Sequence, residues 1–206
     1  MNVQIPYTRS QAGLHHLVDS TGIKFLGEGE WKGKKHGAEY RRQWRKLHIR
    51  IDADTLQIRA ICVTSNNVSD ASVLPDLLEQ LPSDETLQSL IGDGAYYTQP
   101  AYEAVTRHGA ITIIPPRNNA RVRRGTVFEY RNAALAECRR LGRSIWKCWI
   151  GHHLRSLVET KMNCIKRLGE RVMSRTFERQ VNELHIRAAI LNRFTKLGRP
   201  QTAAVA

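Results

Sequence analysis

Apolar residues along this 206-residue chain recur with two different periods, and each marks a different kind of element. Arg45, Leu47, Ile49 and Ile51 alternate with Trp44, Lys46, His48 and Arg50, the period of a strand with one inward and one basic face. Asp52 to Thr55 makes a turn, and Ile58 to Thr64 (IRAICVT) reads as a second strand, so the pair predicts an antiparallel hairpin. Upstream, Leu14 to Asp19 (LHHLVD) runs into the turn-like Ser20-Thr21-Gly22, which predicts a strand that delivers Asp19 at its end. His15 and His16 then point to opposite faces of that strand, which suits partial burial better than joint ligation.

Past the hairpin the period lengthens. Val73, Leu74, Leu77, Leu78 and Leu81 recur at helical spacing behind a Ser69 or Asp70 cap, with Pro75 expected in the first turn. Leu87 to Ile91 is an apolar strand ended by Gly92-Asp93-Gly94. Gln99 to His108 reads as a helix closed by Gly109, and Ala110 to Ile114 as a fifth strand stopped by Pro115-Pro116. A helix is expected over Tyr130 to Leu141, and Phe177, Val181, Leu184, Ala188 and Leu191 trace the seam of a C-terminal one. Between these lies GHHLRSLVETKMNCIK, Gly151 to Lys166. As one continuous helix it sets His152, Arg155, Glu159, Met162 and Lys166 on a single stripe, and Leu154, Leu157, Val158, Cys164, Ile165 and Leu168 on an inward one. The pattern predicts an α/β chain with a mixed five-stranded sheet flanked by helices: a lead over residues 1–13, one domain over 14–198 and a tail over 199–206.

Charge narrows the partner. Lys and Arg number 32 against 19 Asp and Glu, a formal charge of +13, and this excess favours a polyanion. No apolar run reaches the roughly 18 residues of a membrane span, and Met1 to Ser10 has no signal-peptide apolar region. A soluble cytoplasmic protein that meets nucleic acid and no membrane is expected. Three basic clusters qualify for phosphate contact: Lys32-Lys34-Lys35, Arg41-Arg42-Arg45-Lys46 and Arg117 to Arg124, the last containing Arg121, Arg123 and Arg124. The glycines of GEGEWKGKKHG lack the spacing of a P-loop or dinucleotide fingerprint, so a basic hairpin is expected there. Cys62, Cys138, Cys148 and Cys164 form no CxxC pair, which argues against a zinc knuckle or a disulfide framework.

The order of elements brings carboxylates together. Asp19 and Asp93 are expected at the ends of neighbouring parallel strands, and Glu159 on a helix beside them. Either aspartate alone is more often a turn residue, and Arg155 with Glu159 alone is an ordinary helix ion pair. Three oxygen ligands with open positions suit Mg²⁺ or Mn²⁺, and two such ions serve in-line displacement at phosphorus. Asp52, Asp54, Asp70 and Asp84 sit in turn or cap settings.

At these residues the chain resembles a known family. Arg155, Glu159 and Lys166 form R-x3-E-x6-K, similar to the Y-x2-R-x3-E-x6-K signature of DDE-type insertion-sequence transposases, with His152 at the tyrosine position. DSTG at Asp19, GEGEWKGKKHG, WRKLHIRID, TSNNVSD and DGAY after Asp93 are similar as well, so the resemblance spans about Asp19 to Pro200. It implies an RNase H-like core, divalent metal, and cleavage and joining of DNA at transposon ends. Asp19, Asp93 and Glu159 would be the metal-binding triad, and Arg155, Lys166 and the position of His152 would touch phosphate. Family members carry an end-binding segment ahead of the first Asp, whereas Asp19 lies near the start here. The expectation is a chain lacking most of that segment, working as a homodimer or with another transposase chain. The other expectation is a catalytically silent DNA-binding remnant that competes or assembles with a full-length protein.

Overall fold

The computed structural model describes residues 5–8, 13–25 and 44–198. Its centre is a mixed sheet of six strands: β1 (Leu14–Phe25), β2 (Trp44–Asp52), β3 (Ile58–Ser65), β4 (Leu87–Ile91), β5 (Ile111–Ile113) and β6 (Arg171–Val172). Five run in the order β3-β2-β1-β4-β5, and β6 pairs with the far end of β1. β1 to β3 form an antiparallel meander, whereas β4, β5 and β6 join in parallel. This is the α/β arrangement expected, with one strand more. The two-residue β6 is too short to leave any periodic signal.

Helices cover both faces: α1 (Asp70–Glu79), α2 (Gln99–Arg107), α3 (Glu129–Leu141), α4 (Arg143–Trp149), α5 (Ser156–Arg167) and α6 (Phe177–Leu197). Strand alternation decides which residues meet which layer. Leu14, Val18 and Leu90 pack with α1 and α2 residues such as Leu74, Leu78 and Val105. Leu17, Ile23, Leu47, Ile49, Ile51 and Ile91 pack on the opposite face with Trp146, Val158, Ile165 and Leu184. Both clusters are fully or nearly fully buried, and each Leu or Ile removed from water contributes about 1.5 to 3 kcal/mol. Among the described residues no helix is long and apolar enough to cross a membrane.

Several expectations need correction, among them the basic face of β2, whose His48 and Arg50 are fully buried. β1 does not stop at Asp19 but continues through Ser20-Thr21-Gly22 to Phe25, because β2 pairs with it all the way (Ser20 with His48, Thr21 with Leu47, Gly22 with Lys46). A paired neighbour outweighs local turn chemistry, since each ladder step adds hydrogen bonds that an isolated turn lacks. Pro75 lies in the second turn of α1 rather than its first, with Ser69 as the cap. The stretch from Gly151 is not one helix: His152–Arg155 forms a 3₁₀ turn, and the α-helix proper begins at Ser156. Gly151 sits at φ +76°, left-handed backbone that favours glycine, and there the chain changes direction between α4 and that turn.

Candidate active site

Alternation along β1 sends Leu17, Asp19, Thr21 and Ile23 to the face that α5 covers. β4 pairs only with Leu14 to Leu17 and β6 only with Lys24 and Phe25. The edge of β1 between them is therefore left to the chain leaving β4 and to the head of α5, and Asp19 lies on that stretch. Its Oδ1 accepts from the Ser20 amide at 2.8 Å. Burial raises its pKa above the ordinary carboxylate value; the Ser20 amide and Arg155 oppose the rise, while Asp93 and Glu159 reinforce it.

Asp93 follows β4 directly and caps a 3₁₀ turn, Gly94–Tyr96, its Oδ1 accepting from the Ala95 amide at 2.8 Å. Gly92 before it makes the approach possible: a Cβ there would stand 3.0 Å from the Tyr96 ring and 3.3 Å from Val18. Glu159 lies in the first turn of α5, where a carboxylate is favoured by the helix dipole.

One guanidinium joins all three. Arg155 Nη1 donates to Asp19 Oδ2 at 3.2 Å and stands 3.6 Å from Asp93 Oδ2, while its Nη2 donates to Glu159 Oε1. The carboxylates grade from 14% exposed at Asp19 through 38% at Asp93 to 54% at Glu159, so the group opens to solvent from one side. Arg155 carries one charge against three, so two of the three carboxylate charges are left uncompensated. By type, three carboxylates without thiol or imidazole fit a hard divalent cation. By spacing they are not drawn up as ligands, since among the described residues no group of three His, Cys, Asp or Glu is placed to hold an ion. Arg155 stands between them instead.

The other expected residues divide. Lys166, two turns along the same face of α5 from Glu159, donates to Thr21 Oγ1 at 2.7 Å and lines an open groove of about 460 Å³ with Lys24, Trp44 and Arg167. His152 is buried at 7% exposure, beside Trp146 and with its Nε2 3.2 Å from the Gly92 carbonyl. Burial lowers its pKa despite that carbonyl, so the ring is neutral and Nε2–H donates. His152 thus ties the head of α5 to the residue before Asp93 and does not face solvent. Arg121, Arg123 and Arg124 are exposed on the segment between β5 and α3. Lys34, Lys35, Arg41 and Arg42 lie outside the described residues.

Two kinds of residue escaped the sequence reading. Tyr96 is wholly buried, its hydroxyl without a protein partner, and Asp70, Asp19 and Asp93 are the charges that reinforce its burial in raising its pKa. Arg131, in α3, is 4% exposed and turned toward Tyr97 and Phe128. The adjacent aromatic pair directly behind Asp93 was the available signal for the first. Nothing in a lone helical arginine distinguishes the second.

Residues 11–193 match the transposase DDE domain, a span that includes the whole sheet and all three carboxylates. Members of that family act on DNA as transposases and generally use divalent metal. The chain belongs to the transposase DDE domain family.

Proposed function

We propose that residues 14–198 form a working catalytic domain that cuts DNA at insertion-sequence ends and joins the freed 3′ hydroxyl to target DNA. The observation that supports it best is the single guanidinium shared by Asp19, Asp93 and Glu159. Carboxylates from three separate elements gather at one solvent-open point, where each increases the others' need for a cation. In this reading Asp19, Asp93 and Glu159 hold Mg²⁺ or Mn²⁺, as one or two ions. Such ions would supply activation of the attacking oxygen and charge stabilisation at phosphorus. The chain's own residues do the rest. Arg155, once free of the carboxylates, and Lys166 hold phosphate oxygens, and His152 sets the distance between α5 and the Asp93 loop.

Purified protein with Mg²⁺ or Mn²⁺ and a duplex carrying the transposon end is expected to nick that duplex, and Asp93→Asn to abolish nicking. A second reading, a silent DNA-binding remnant, draws support from Arg155 standing where a cation would sit, with no ready-made cation group among the described residues. Failure of the native protein to nick, even with a separate end-binding domain supplied, would favour that reading.

Self-association, or pairing with another transposase chain, is part of the same proposal. Ile186, Ile190 and Phe194 stand exposed one helical turn apart along α6, an apolar stripe suited to a helical partner. Sedimentation of Ile190→Glu is expected to show a lighter species than the native protein, and an unchanged mass would remove this surface from consideration.

A further inference from the structure

Beyond the carboxylate cluster the molecule carries a second concentration of uncompensated charge, of opposite sign. Behind the Gly94–Tyr96 turn, a cavity of about 410 Å³ is lined by Tyr97, Tyr102, Arg117, Arg121, Arg123 and Arg131 among others. Among the described residues none of these four arginines is paired with a carboxylate. The acidic side chains that form ion pairs do so elsewhere, Glu137 with Arg140 and Glu183 with Arg187 for example. Arg131 is 4% exposed, and only its Nη1 is taken up, by the Arg121 carbonyl at 2.9 Å and Asn132 Oδ1 at 3.0 Å. The hydroxyls of Tyr97 and Tyr102, on the same walls, are buried and have no protein partner. Four guanidiniums lining one concavity cost free energy, because like charges repel and the buried Arg131 has lost water. An anion rich in acceptor oxygens would relieve both.

We propose that this cavity binds a phosphate monoester, the 5′-phosphate end of a DNA strand. Chemistry favours phosphate over a nucleobase. The Tyr97 ring, which would have to stack on a base, already carries Arg131 at 4.9 Å and Arg117 at 5.8 Å from its centroid, with the Tyr102 edge at 5.8 Å. Four cations also exceed what the single charge of an internal phosphodiester needs. A terminal phosphate, with a second pKa of about 6, is nearly dianionic at neutral pH and offers three acceptor oxygens. A chain end enters a concavity more readily than a continuous backbone. The assignment to DNA rests on the proposed function, but the phosphate chemistry of the cavity does not.

Fluorescence anisotropy without divalent metal separates this site from catalysis, because a catalytically silent protein retains it. Labelled blunt duplexes differing only in a 5′-phosphate or 5′-hydroxyl are titrated with the full chain. The phosphorylated end is expected to bind about tenfold tighter, the scale of one or two charge-assisted hydrogen bonds, and the margin to shrink below pH 6. Arg117→Gln and Arg123→Gln, both at exposed positions and verified as folded by circular dichroism, are expected to lose the preference and keep weaker affinity for either duplex. Equal affinity of the native protein for both ends would overturn the proposal. So would a preference that survives in both variants, because the phosphate would then sit elsewhere. A nucleoside 5′-monophosphate that binds as tightly as the DNA end would overturn the assignment to DNA.

Discussion

Arg155 occupies the most contested position in the protein, because three carboxylates share it and each is a group that a divalent cation would also claim. A cation and a guanidinium cannot both sit there without a repulsion of several kcal/mol at about 4 Å. Arg155→Gln is therefore expected to bind Mn²⁺ about tenfold tighter, measured by electron paramagnetic resonance of the free ion, while strand cleavage falls because a phosphate contact is gone. Weaker Mn²⁺ binding would show that Arg155 organises the carboxylates rather than competing for them. The family signature names this arginine but says nothing of where it points. Its reach to Asp19, across 136 positions of sequence, is a fact of folding alone.

At the level of elements, the site depends on how α5 is docked. Among its polar ties, Lys166 donates to Thr21 of β1 at its end, and His152 donates to the Gly92 carbonyl at its head. His152→Ala leaves that carbonyl without its donor and opens a gap beside Trp146, which together cost about 2 kcal/mol. For a chain of this size that corresponds to a melting temperature about 4 to 8 °C lower, read by calorimetry. His152→Tyr, which restores the signature's residue, is expected to recover much of the loss. An unaltered melt in His152→Ala would mean that the tie is incidental. Treating Gly151 to Lys166 as a single helix put His152 on a stripe with Arg155 and Glu159. The 3₁₀ turn rotates it inward instead.

The whole molecule encloses more charge than its surface character suggests. His16 is fully buried, and its Nδ1 accepts from Arg50 Nη1 at 3.0 Å, which requires a neutral ring. Burial, with Arg50 and Arg59 nearby, holds its pKa down to about 2. Burial likewise lowers His48 to about 4, Asp70 opposing. In the unfolded chain both titrate near about 6.5. Below that pH the unfolded state takes up protons that the native state refuses, so stability falls as pH drops from about 6.5 toward 4. Each histidine contributes a slope approaching about 1.4 kcal/mol per pH unit. Urea midpoints between pH 7 and pH 4.5 are expected to fall accordingly, and His16→Asn, which keeps an acceptor for Arg50, to lessen the slope. A flat profile in the native protein would show these rings to be titrating normally.

Periodicity alone determined the α/β class and the positions of β2 to β5 and of α1, α2, α3 and α6, because burial against one face imposes its period on the chain, whereas the short α4 left no signal. Periodicity also supplied the spacing of Arg155, Glu159 and Lys166, since residues three and four apart on a helix are neighbours by geometry. Only the tertiary structure decided that Asp19 lies within β1 and not at its end, because pairing partners belong to other segments. It alone turned His152 inward, brought one guanidinium to three carboxylates, and gathered Arg117, Arg123 and Arg131 round a cavity with Tyr97. Each of these depends on distances across elements, which local sequence does not encode.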